Sequence, residues 1–188
     1  MKLHYTADEH YFHERIIRPD YANRPFADLR EMHTVMIGRH NERVSSKDTT
    51  IHAGDFSFGS QGQTLDLLKA LNGYHIMLLG SHDYPIHKIV KKSQYAQINY
   101  GLFFYRGRVF ETAIKNNPVV INHYCMRAWA KSHYNSWHLF GHAHGRLEPI
   151  GKSWDIGVDN NDFCPVSEEE IIEIMKRRPD NPNLVKKR

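Results

Sequence analysis

The sequence is poor in cysteine and has no long apolar run. Its two cysteines, Cys125 and Cys164, lack the paired spacing of a disulfide framework or a zinc finger. The apolar runs are only as long as a strand, far below the roughly 20 residues that cross a bilayer. No basic segment followed by an apolar stretch marks an export signal. We therefore expect a cytoplasmic protein that works under reducing conditions and without a membrane.

The composition is that of a globular chain with a modest positive charge. Of the 188 residues, 40% are apolar and 12% are aromatic, which argues against disorder. The length fits one domain, and we predict it over residues 1–180, with a basic, disordered tail at 181–188. The net charge of +4 and pairs such as Lys91-Lys92 leave nucleic acid open as a partner, beside the simpler reading of a solvated surface.

Hydrophobic periodicity predicts an α/β protein. The first half follows the order β, α, β, α, β, with elements at residues 2–6, 28–43, 49–53, 64–71 and 75–79. A short helix is predicted next, and then a hairpin, which makes the sheet mixed. The later elements are a helix at 85–92, a hairpin of 102–105 with 109–112, strands at 119–122, 137–140 and 153–158, and a last helix capped by Ser167 and Glu170.

Four short polar clusters and one histidine stand where these strands end. They are Asp8-Glu9-His10, Gly54-Asp55, Gly80-Ser81-His82-Asp83, His123 and Gly141-His142-Ala143-His144. Open α/β sheets place their chemistry at such strand ends. Carboxylates with several imidazoles favour manganese, iron, nickel or zinc over magnesium and calcium. Two such ions that share a hydroxide can hydrolyse a phosphoester, and they need a bridging carboxylate, for which Asp55 is the natural choice.

In this order, the five segments resemble the motifs of the calcineurin-like metallophosphoesterase family. The resemblance spans nearly the whole chain, and Arg24-Pro25-Phe26 and Trp154-Asp155-Ile156-Gly157-Val158-Asp159 are similar to segments of small bacterial and phage-type members. It implies a mixed two-sheet β-sandwich flanked by helices in four layers.

The resemblance also implies a role for each motif residue. Asp8, His10 and His144 would hold the first metal, Asp55 would bridge, and His123 and His142 would hold the second. His82 would stabilise the transition state or protonate the leaving oxygen, and Asp83 would orient His82 through a hydrogen bond. Manganese is the expected metal, with iron, nickel and zinc as alternatives.

Ser81 departs from the family pattern. The family has asparagine there, whose side-chain oxygen would bind the second metal, whereas serine offers only a shorter hydroxyl. We therefore count Ser81 among the metal-site positions but expect the second metal to be held more weakly, since even losses around a metal ligand cost about 10- to 100-fold in affinity or activity.

The resemblance implies a phosphoester substrate, and the residues that would contact it are less clearly marked in the sequence than the metal ligands. Guanidinium and other polar groups that suit phosphate are His13, Arg24, Tyr124, Arg127 and Arg146. The leading hypothesis is hydrolysis of a phosphodiester or phosphomonoester by a metal-activated hydroxide. The alternatives are a binding or scaffold protein weakened by Ser81, and a nuclease or nucleic-acid-end phosphoesterase. A homodimer through Phe103 and Phe104 is left open.

Overall fold

The computed structural model describes residues 1–92, 102–104 and 107–185. Nine strands and four α-helices occur in this part of the chain. The strands are β1 (Leu3–Thr6), β2 (Thr49–His52), β3 (Tyr74–Met77), β4 (Leu102–Phe104), β5 (Val109–Ile114), β6 (Asn117–Asn122), β7 (Trp137–Phe140), β8 (Ser153–Asp155) and β9 (Val166–Ser167). The helices are α1 (Leu29–Arg43), α2 (Gln61–Ala70), α3 (Tyr84–Lys92) and α4 (Glu168–Arg177).

The strands form two mixed sheets, which confirms the predicted α/β sandwich. The first sheet has the order β4-β3-β2-β1-β9, with only β9 antiparallel to its neighbour. The second has the order β5-β6-β7-β8, with β5 antiparallel to β6 and the other pairs parallel. Parallel strands that are buried on both faces are rich in apolar residues, as Val119–Ile121 illustrates.

Two apolar clusters hold the elements together. One lies between the sheets and includes Tyr5, Ile51, Ile121 and Leu139. The other covers the outer face of the first sheet, where Met32 and Met36 of α1 and Leu67 and Leu68 of α2 pack with Phe56 and Met77. The buried α1 and α2 residues recur at helical spacing, so each helix packs one face on the first sheet.

The loops that carry the polar clusters meet at one end of the sandwich. Asp8, Asp55 and the segment 80–83 follow the carboxyl ends of β1, β2 and β3, while His123 and His142 follow those of β6 and β7. A bridge between Ala7 and Gly157 and the bond from the His142 backbone N–H to Asp8 Oδ2 (2.7 Å) join the two sides. Residues far apart in sequence are thereby brought to one edge.

The predicted hairpin of 102–105 with 109–112 is wrong. β4 pairs in parallel with β3 and extends the first sheet, whereas β5 turns back onto β6 in the second. The tight turn is at Lys115 and Asn116, and Lys115 adopts the left-handed conformation (φ 52°). Arg106, in the turn that was predicted, lies outside the described residues.

The start of one helix differs from the predicted one because of capping. α2 begins three residues early: Ser60 accepts the Gln63 backbone N–H, and the Gln63 side chain accepts the Ser60 N–H. This capping box precedes the apolar pattern and was missed. α1 begins close to the predicted residue: Asp28 caps it by accepting the Glu31 backbone N–H, and the Glu31 carboxylate accepts the Ala27 backbone N–H.

The end of the chain is packed up to Val185, which contradicts the predicted disorder of residues 181–185. Asn181 is buried and donates to the carbonyls of Ser132 and Ser136 (both 2.9 Å). The Val185 backbone N–H donates to the His133 carbonyl. Side-chain amides that satisfy buried carbonyls fix a segment without secondary structure. Residues 186–188, the most basic part of this segment, lie outside the described residues.

In the described part of the chain, no helix has the length and apolar character needed to cross a membrane.

Candidate metal centre

Two groups of ligand residues lie side by side at the joined end of the sheets. The first group is Asp8, His10 and His144, and the second is Asp55, His123 and His142. In each group, one ligand atom from every residue lies within 4.8 Å of the others. These are the two triplets that the motif order predicts, and both combine carboxylate with imidazole, which suits first-row divalent ions.

Asp55 connects the two groups. Its Oδ2 atom lies 3.7 Å from His10 Nε2 in the first group and 3.3 Å from His123 Nε2 in the second. Burial alone would raise the pKa of Asp55, but the His123 and His10 imidazoles and the His82 backbone N–H hold it below its ordinary value. The position of Oδ2 fits the predicted bridging role.

Buried ligand atoms without partners show that the residues fit a bound cation. Asp8 Oδ1, His10 Nε2 and His123 Nε2 are buried and have no hydrogen-bond partner among the described residues. His123 Nε2 approaches Asp55 Oδ2 without hydrogen-bond geometry. Burial, together with the nearby Asp155 and Asp55 carboxylates, raises the pKa of Asp8 well above its usual range. Unpaired acceptors and crowded carboxylates are costly, and a divalent cation would satisfy both.

The ligand loops have strained backbones. The φ angle is positive at Asp8 (57°), His10 (52°), Asp55 (57°), His142 (69°) and His144 (47°). A left-handed conformation in residues other than glycine costs about 1–3 kcal/mol each and clusters at functional sites. The chain turns sharply at each strand end, and this aims the side chains inward.

Asp159 and Arg24 hold the first group from behind. The Asp159 carboxylate bonds to His144 Nδ1 (2.7 Å) and receives two bonds from the Arg24 guanidinium (both 2.9 Å). Arg24 also donates to the Asp8 and Glu9 carbonyls. Burial alone would raise the pKa of Asp159, but the bonds from His144 and Arg24 hold it below the ordinary value. A carboxylate behind a ligating histidine fixes the tautomer and the ring orientation.

Arg24 was predicted to contact the substrate phosphate, and that prediction is wrong. Its side chain is fully buried, and its donors are bonded to Asp159 and to the two loop carbonyls. Arginine is favoured at such a place because its planar fork binds a carboxylate in a bidentate manner. Arg24 therefore shapes the ligand loop and does not face a substrate.

Asp83 also has a different partner from the predicted one. Its carboxylate accepts the backbone N–H groups of Asp55, Phe56 and Gly80, each at 2.7 Å, instead of bonding to the His82 ring. Burial raises the pKa of Asp83 to about 6. Gly80 permits this packing, because a side chain there would collide with the Asp55 carboxylate. Asp83 thus fixes the loop that carries Asp55.

Ser81 lies beside the second group as a hydrogen-bond donor. Its hydroxyl donates to Asp55 Oδ2 at 2.9 Å, and the His82 backbone N–H donates to Asp55 Oδ1 at 2.8 Å. The short Ser81 side chain therefore holds the Asp55 carboxylate by a hydrogen bond. The prediction that Ser81 itself ligates the second metal stays a prediction.

A cavity of about 350 Å³ opens over the two groups. It is lined by His10, Asp20, Tyr21, Ala22, Asp55, His82, His142, His144 and Arg146. The exposed His82 imidazole lies 6.0 Å from the His10 ring and 4.9 Å from the Phe58 ring, between centroids. Arg146 is exposed at the rim and donates to the Tyr21 carbonyl. His82 and Arg146 are thus placed where the predicted substrate contacts are needed.

The other three predicted substrate contacts have different surroundings. His13 bonds to His10 through their Nδ1 atoms (3.1 Å). Tyr124 is 37% exposed, and its ring packs edge-on against His142 at a centroid distance of 4.8 Å. Arg127 is exposed and does not line the cavity. Tyr124 therefore stands next to the second group, whereas no contact of Arg127 with the described residues places it there.

Sequence reasoning missed the supporting carboxylates. Asp155 accepts the Gly157 and Gly145 backbone N–H groups (2.8 and 3.2 Å), which shapes the turn after His144. Asp159 bonds to His144 itself. Both belong to the 154–159 segment whose resemblance was noted, and its two acidic residues were the available signal.

Comparisons with known proteins identify a fold but no activity. No protein-family model matches the chain. An uncharacterized protein of Methanocaldococcus jannaschii is 26% identical over 185 residues, which cover 94% of this chain and 92% of that protein. A solved structure of a protein of unknown function from Aquifex aeolicus matches with a TM-score of 0.68 and 21% identity, over 92% of this chain and 98% of that one. This likeness shows that the two chains share a fold.

Two predictions about binding partners depend on side chains that lie outside the described residues. The nucleic-acid hypothesis depends on Lys91-Lys92 and the basic end at 186–188, and the dimer hypothesis depends on Phe103 and Phe104. The side chains at these positions lie outside the described residues, so both hypotheses stay predictions.

Proposed function

We propose that the protein is a dinuclear-metal-dependent phosphoesterase. The observation that carries the proposal is the pair of ligand groups that share Asp55, with the buried atoms Asp8 Oδ1, His10 Nε2 and His123 Nε2 left without hydrogen-bond partners among the described residues. Two divalent ions held there would supply a nucleophilic hydroxide at neutral pH and neutralise charge on a phosphoryl group. The mixed nitrogen and oxygen ligands favour manganese, iron, nickel or zinc.

The protein's own residues would bind the ester and handle the proton. Hydrolysis adds water across the P–O bond, and the leaving oxygen needs a proton. His82 faces the cavity and is placed to give that proton or to donate to a developing negative oxygen. The Arg146 guanidinium at the rim suits a phosphate oxygen, while Asp83 keeps the loop of Asp55 and His82 in place.

The cavity supports a diester over an enclosed small metabolite. Its volume of about 350 Å³ is at the lower end for ligand pockets, and its rim is open at the exposed Arg146 and the partly exposed Tyr21. A largely enclosed pocket is the usual arrangement for a small-molecule substrate. This favours phosphodiesterase activity within the proposed class.

The test begins with protein that has been stripped by a chelator and reloaded with manganese. We expect about two ions per chain by elemental analysis and manganese-dependent cleavage of a bis-aryl phosphate, as a two-metal site requires. Asp55→Asn should remove the activity and lower the metal content, whereas Asp162→Asn, at an exposed carboxylate away from the groups, should change neither. Failure of the wild-type protein to bind metal and to cleave any of a panel of monoesters and diesters would refute the proposal.

A second candidate is a binding protein with weakened catalysis, and one observation favours it. Ser81 donates to Asp55 where the family has a ligating amide. On this reading the wild-type protein binds about one ion and turns over poorly, while Ser81→Asn gains both the second ion and activity, because a lost ligand lowers metal affinity. Full activity with two tightly bound ions in the wild type would exclude it.

A further inference from the structure

His13 makes a contact that a substrate-binding role does not explain. Its Nδ1 atom lies 3.1 Å from Nδ1 of His10, and its own backbone N–H donates to the His10 carbonyl. The His13 ring is stacked on Phe58 at a centroid distance of 4.0 Å and meets Tyr21 edge-on at 5.0 Å. The ring is therefore fixed on several sides.

The hydrogen bond between two imidazole nitrogens assigns the protons. One Nδ1 must carry a hydrogen and the other must offer a lone pair. His10 Nε2 is buried, has no hydrogen-bond partner among the described residues and lies within the first ligand group. A metal ligand must present a lone pair, so the His10 proton belongs on Nδ1. His10 is then the donor and His13 Nδ1 is the acceptor.

We propose that His13 is a positioning residue that holds His10 in the tautomer and ring orientation needed for metal binding. The inference rests on the proposed function, because it takes Asp8, His10 and His144 to be metal ligands. A ligating histidine commonly bonds through its other nitrogen to a carboxylate, a carbonyl or water. In this protein His144 follows that rule through Asp159, while His10 uses a second imidazole.

The geometry separates this role from a phosphate contact. A phosphate-binding His13 would need a nitrogen facing the cavity, yet His13 is not among the cavity-lining residues. Its Nδ1 is committed to His10, and its ring is packed by stacking on Phe58 and by an edge-on contact with Tyr21. Substitution of His13 should therefore change metal binding before it changes the substrate KM.

Two variants separate the hydrogen bond from the bulk of the ring. In His13→Asn, the side-chain amide can place an acceptor near the position of Nδ1, whereas His13→Leu keeps a similar bulk without any acceptor. His87→Leu, at an exposed histidine of α3, is the matched control. Manganese binding is measured by isothermal titration calorimetry, and the His10 tautomer of the metal-free protein is measured by nitrogen-15 NMR of the imidazoles.

We expect His13→Leu to weaken the tighter manganese step about 10- to 100-fold, the range for the loss of a group behind a metal ligand. His13→Asn and His87→Leu should stay near the wild type, and NMR should show His10 protonated on Nδ1 in the wild type and in His13→Asn. If His13→Leu folds and keeps the wild-type affinity and tautomer, the inference is wrong. It is equally wrong if only the KM for a bis-aryl phosphate rises. If His13→Leu does not fold, either of two results overturns the inference. One is a wild-type His10 that is protonated on Nε2. The other is a His13→Asn protein whose tighter manganese step is about 10- to 100-fold weaker than that of the wild type.

Failure of the proposed function gives a different result. In that case the wild type binds no manganese, although NMR can still show the His10 to His13 bond. Wild-type binding with no effect of His13→Leu, by contrast, leaves the metal centre intact and removes only the role of His13.

Discussion

The two ligand groups have similar residues but differ in their support. In the first group, His144 bonds to the Asp159 carboxylate and His10 bonds to His13. In the second, His123 Nδ1 has the Ala53 carbonyl at 3.1 Å, and His142 is exposed. Partners behind the ligands preorganise a metal site. From this difference we predict that, if the groups bind metal as proposed, the first group holds its ion more tightly than the second.

The charge of the hydrogen-bond partners behind the histidines also favours tighter metal binding in the first group. The Asp159 carboxylate behind His144 is anionic and is itself held by Arg24, so it strengthens the ligand basicity of the imidazole. The neutral Ala53 carbonyl behind His123 increases the basicity of that imidazole less. The single carboxylate of the second group, Asp55, is shared with the first and also accepts the Ser81 hydroxyl. We therefore expect metal to load in two steps of unequal affinity.

The largest expected effect comes from removing the carboxylate behind the first group. Asp159→Ala leaves the buried Arg24 guanidinium without its ionic partner, and breaking a buried pair in this way costs about 3–5 kcal/mol. Urea unfolding of the metal-free protein measures the loss. Asp162→Ala breaks the more exposed pair with Arg39 and should cost no more than about 1 kcal/mol. Equal losses in the two variants would contradict the buried support described for the first group.

A smaller effect is expected at Asp83, which supports Asp55 between the groups. Asp83→Asn replaces an acceptor of three backbone N–H bonds by an amide with one acceptor oxygen. Hydrogen bonds to charged groups contribute about 1.5–3 kcal/mol, and we expect a loss of that size in the unfolding free energy. We also expect the manganese affinity of the weaker binding step to fall in this variant. Asp66→Asn, on the exposed face of α2, is the control, and an unchanged Asp83→Asn protein would show that the loop needs no such anchor.

Ser81→Asn should narrow the difference between the two groups. An amide oxygen in place of the hydroxyl adds a ligand to the second group, and we expect its manganese affinity to rise about 10-fold or more, the lower end of effects around metal ligands. The tighter step should not change. Calorimetry resolves the two steps, and Ser60→Asn is a suitable control because asparagine also caps helices well. If the manganese affinities of the two steps differ in Ser81→Asn as much as in the wild type, Ser81 does not cause the difference in affinity between the groups.

The smallest effect is expected at the rim. Arg146 lines the cavity and Arg127 does not, so Arg146→Ala should raise the KM for a bis-aryl phosphate by about two- to fivefold, as suits an exposed ionic contact of less than 1 kcal/mol. Arg127→Ala should leave KM unchanged. Steady-state kinetics of the manganese-loaded proteins measures both, and a larger rise in KM for Arg127→Ala than for Arg146→Ala would show that the substrate does not bind against Arg146.

The gathering of the candidate ligands at one edge could be predicted from sequence because their positions relative to the strands are a local signal. Asp8, Asp55 and His123 each follow an apolar strand directly, and parallel strands bring such positions to one edge. The supporting bonds are not local: Arg24 and Asp159 are 135 residues apart. A buried arginine paired with an aspartate cannot be told from an exposed phosphate contact by spacing alone, which is why Arg24 was misassigned.

The same limit explains the errors in the fold. The segment 102–104 has the β propensity that was predicted, but propensity does not choose a partner strand. Its pairing with β3 depends on the whole first sheet. Asn181 likewise gives no periodic signal, since its burial depends on the carbonyls of Ser132 and Ser136 across the surface. Local patterns identified the elements, and long-range contacts decided their neighbours.

Each ligand group takes residues from both sheets, and this links the centre to folding. Asp8, His10 and Asp55 lie in loops that follow strands of the first sheet, and His123, His142 and His144 lie in loops that follow strands of the second. Neither sheet alone contains a complete group, so the ligands assemble only when the sandwich closes. An ion that binds only the native state stabilises that state by mass action. Metal uptake during refolding would therefore mark the step at which the two sheets dock.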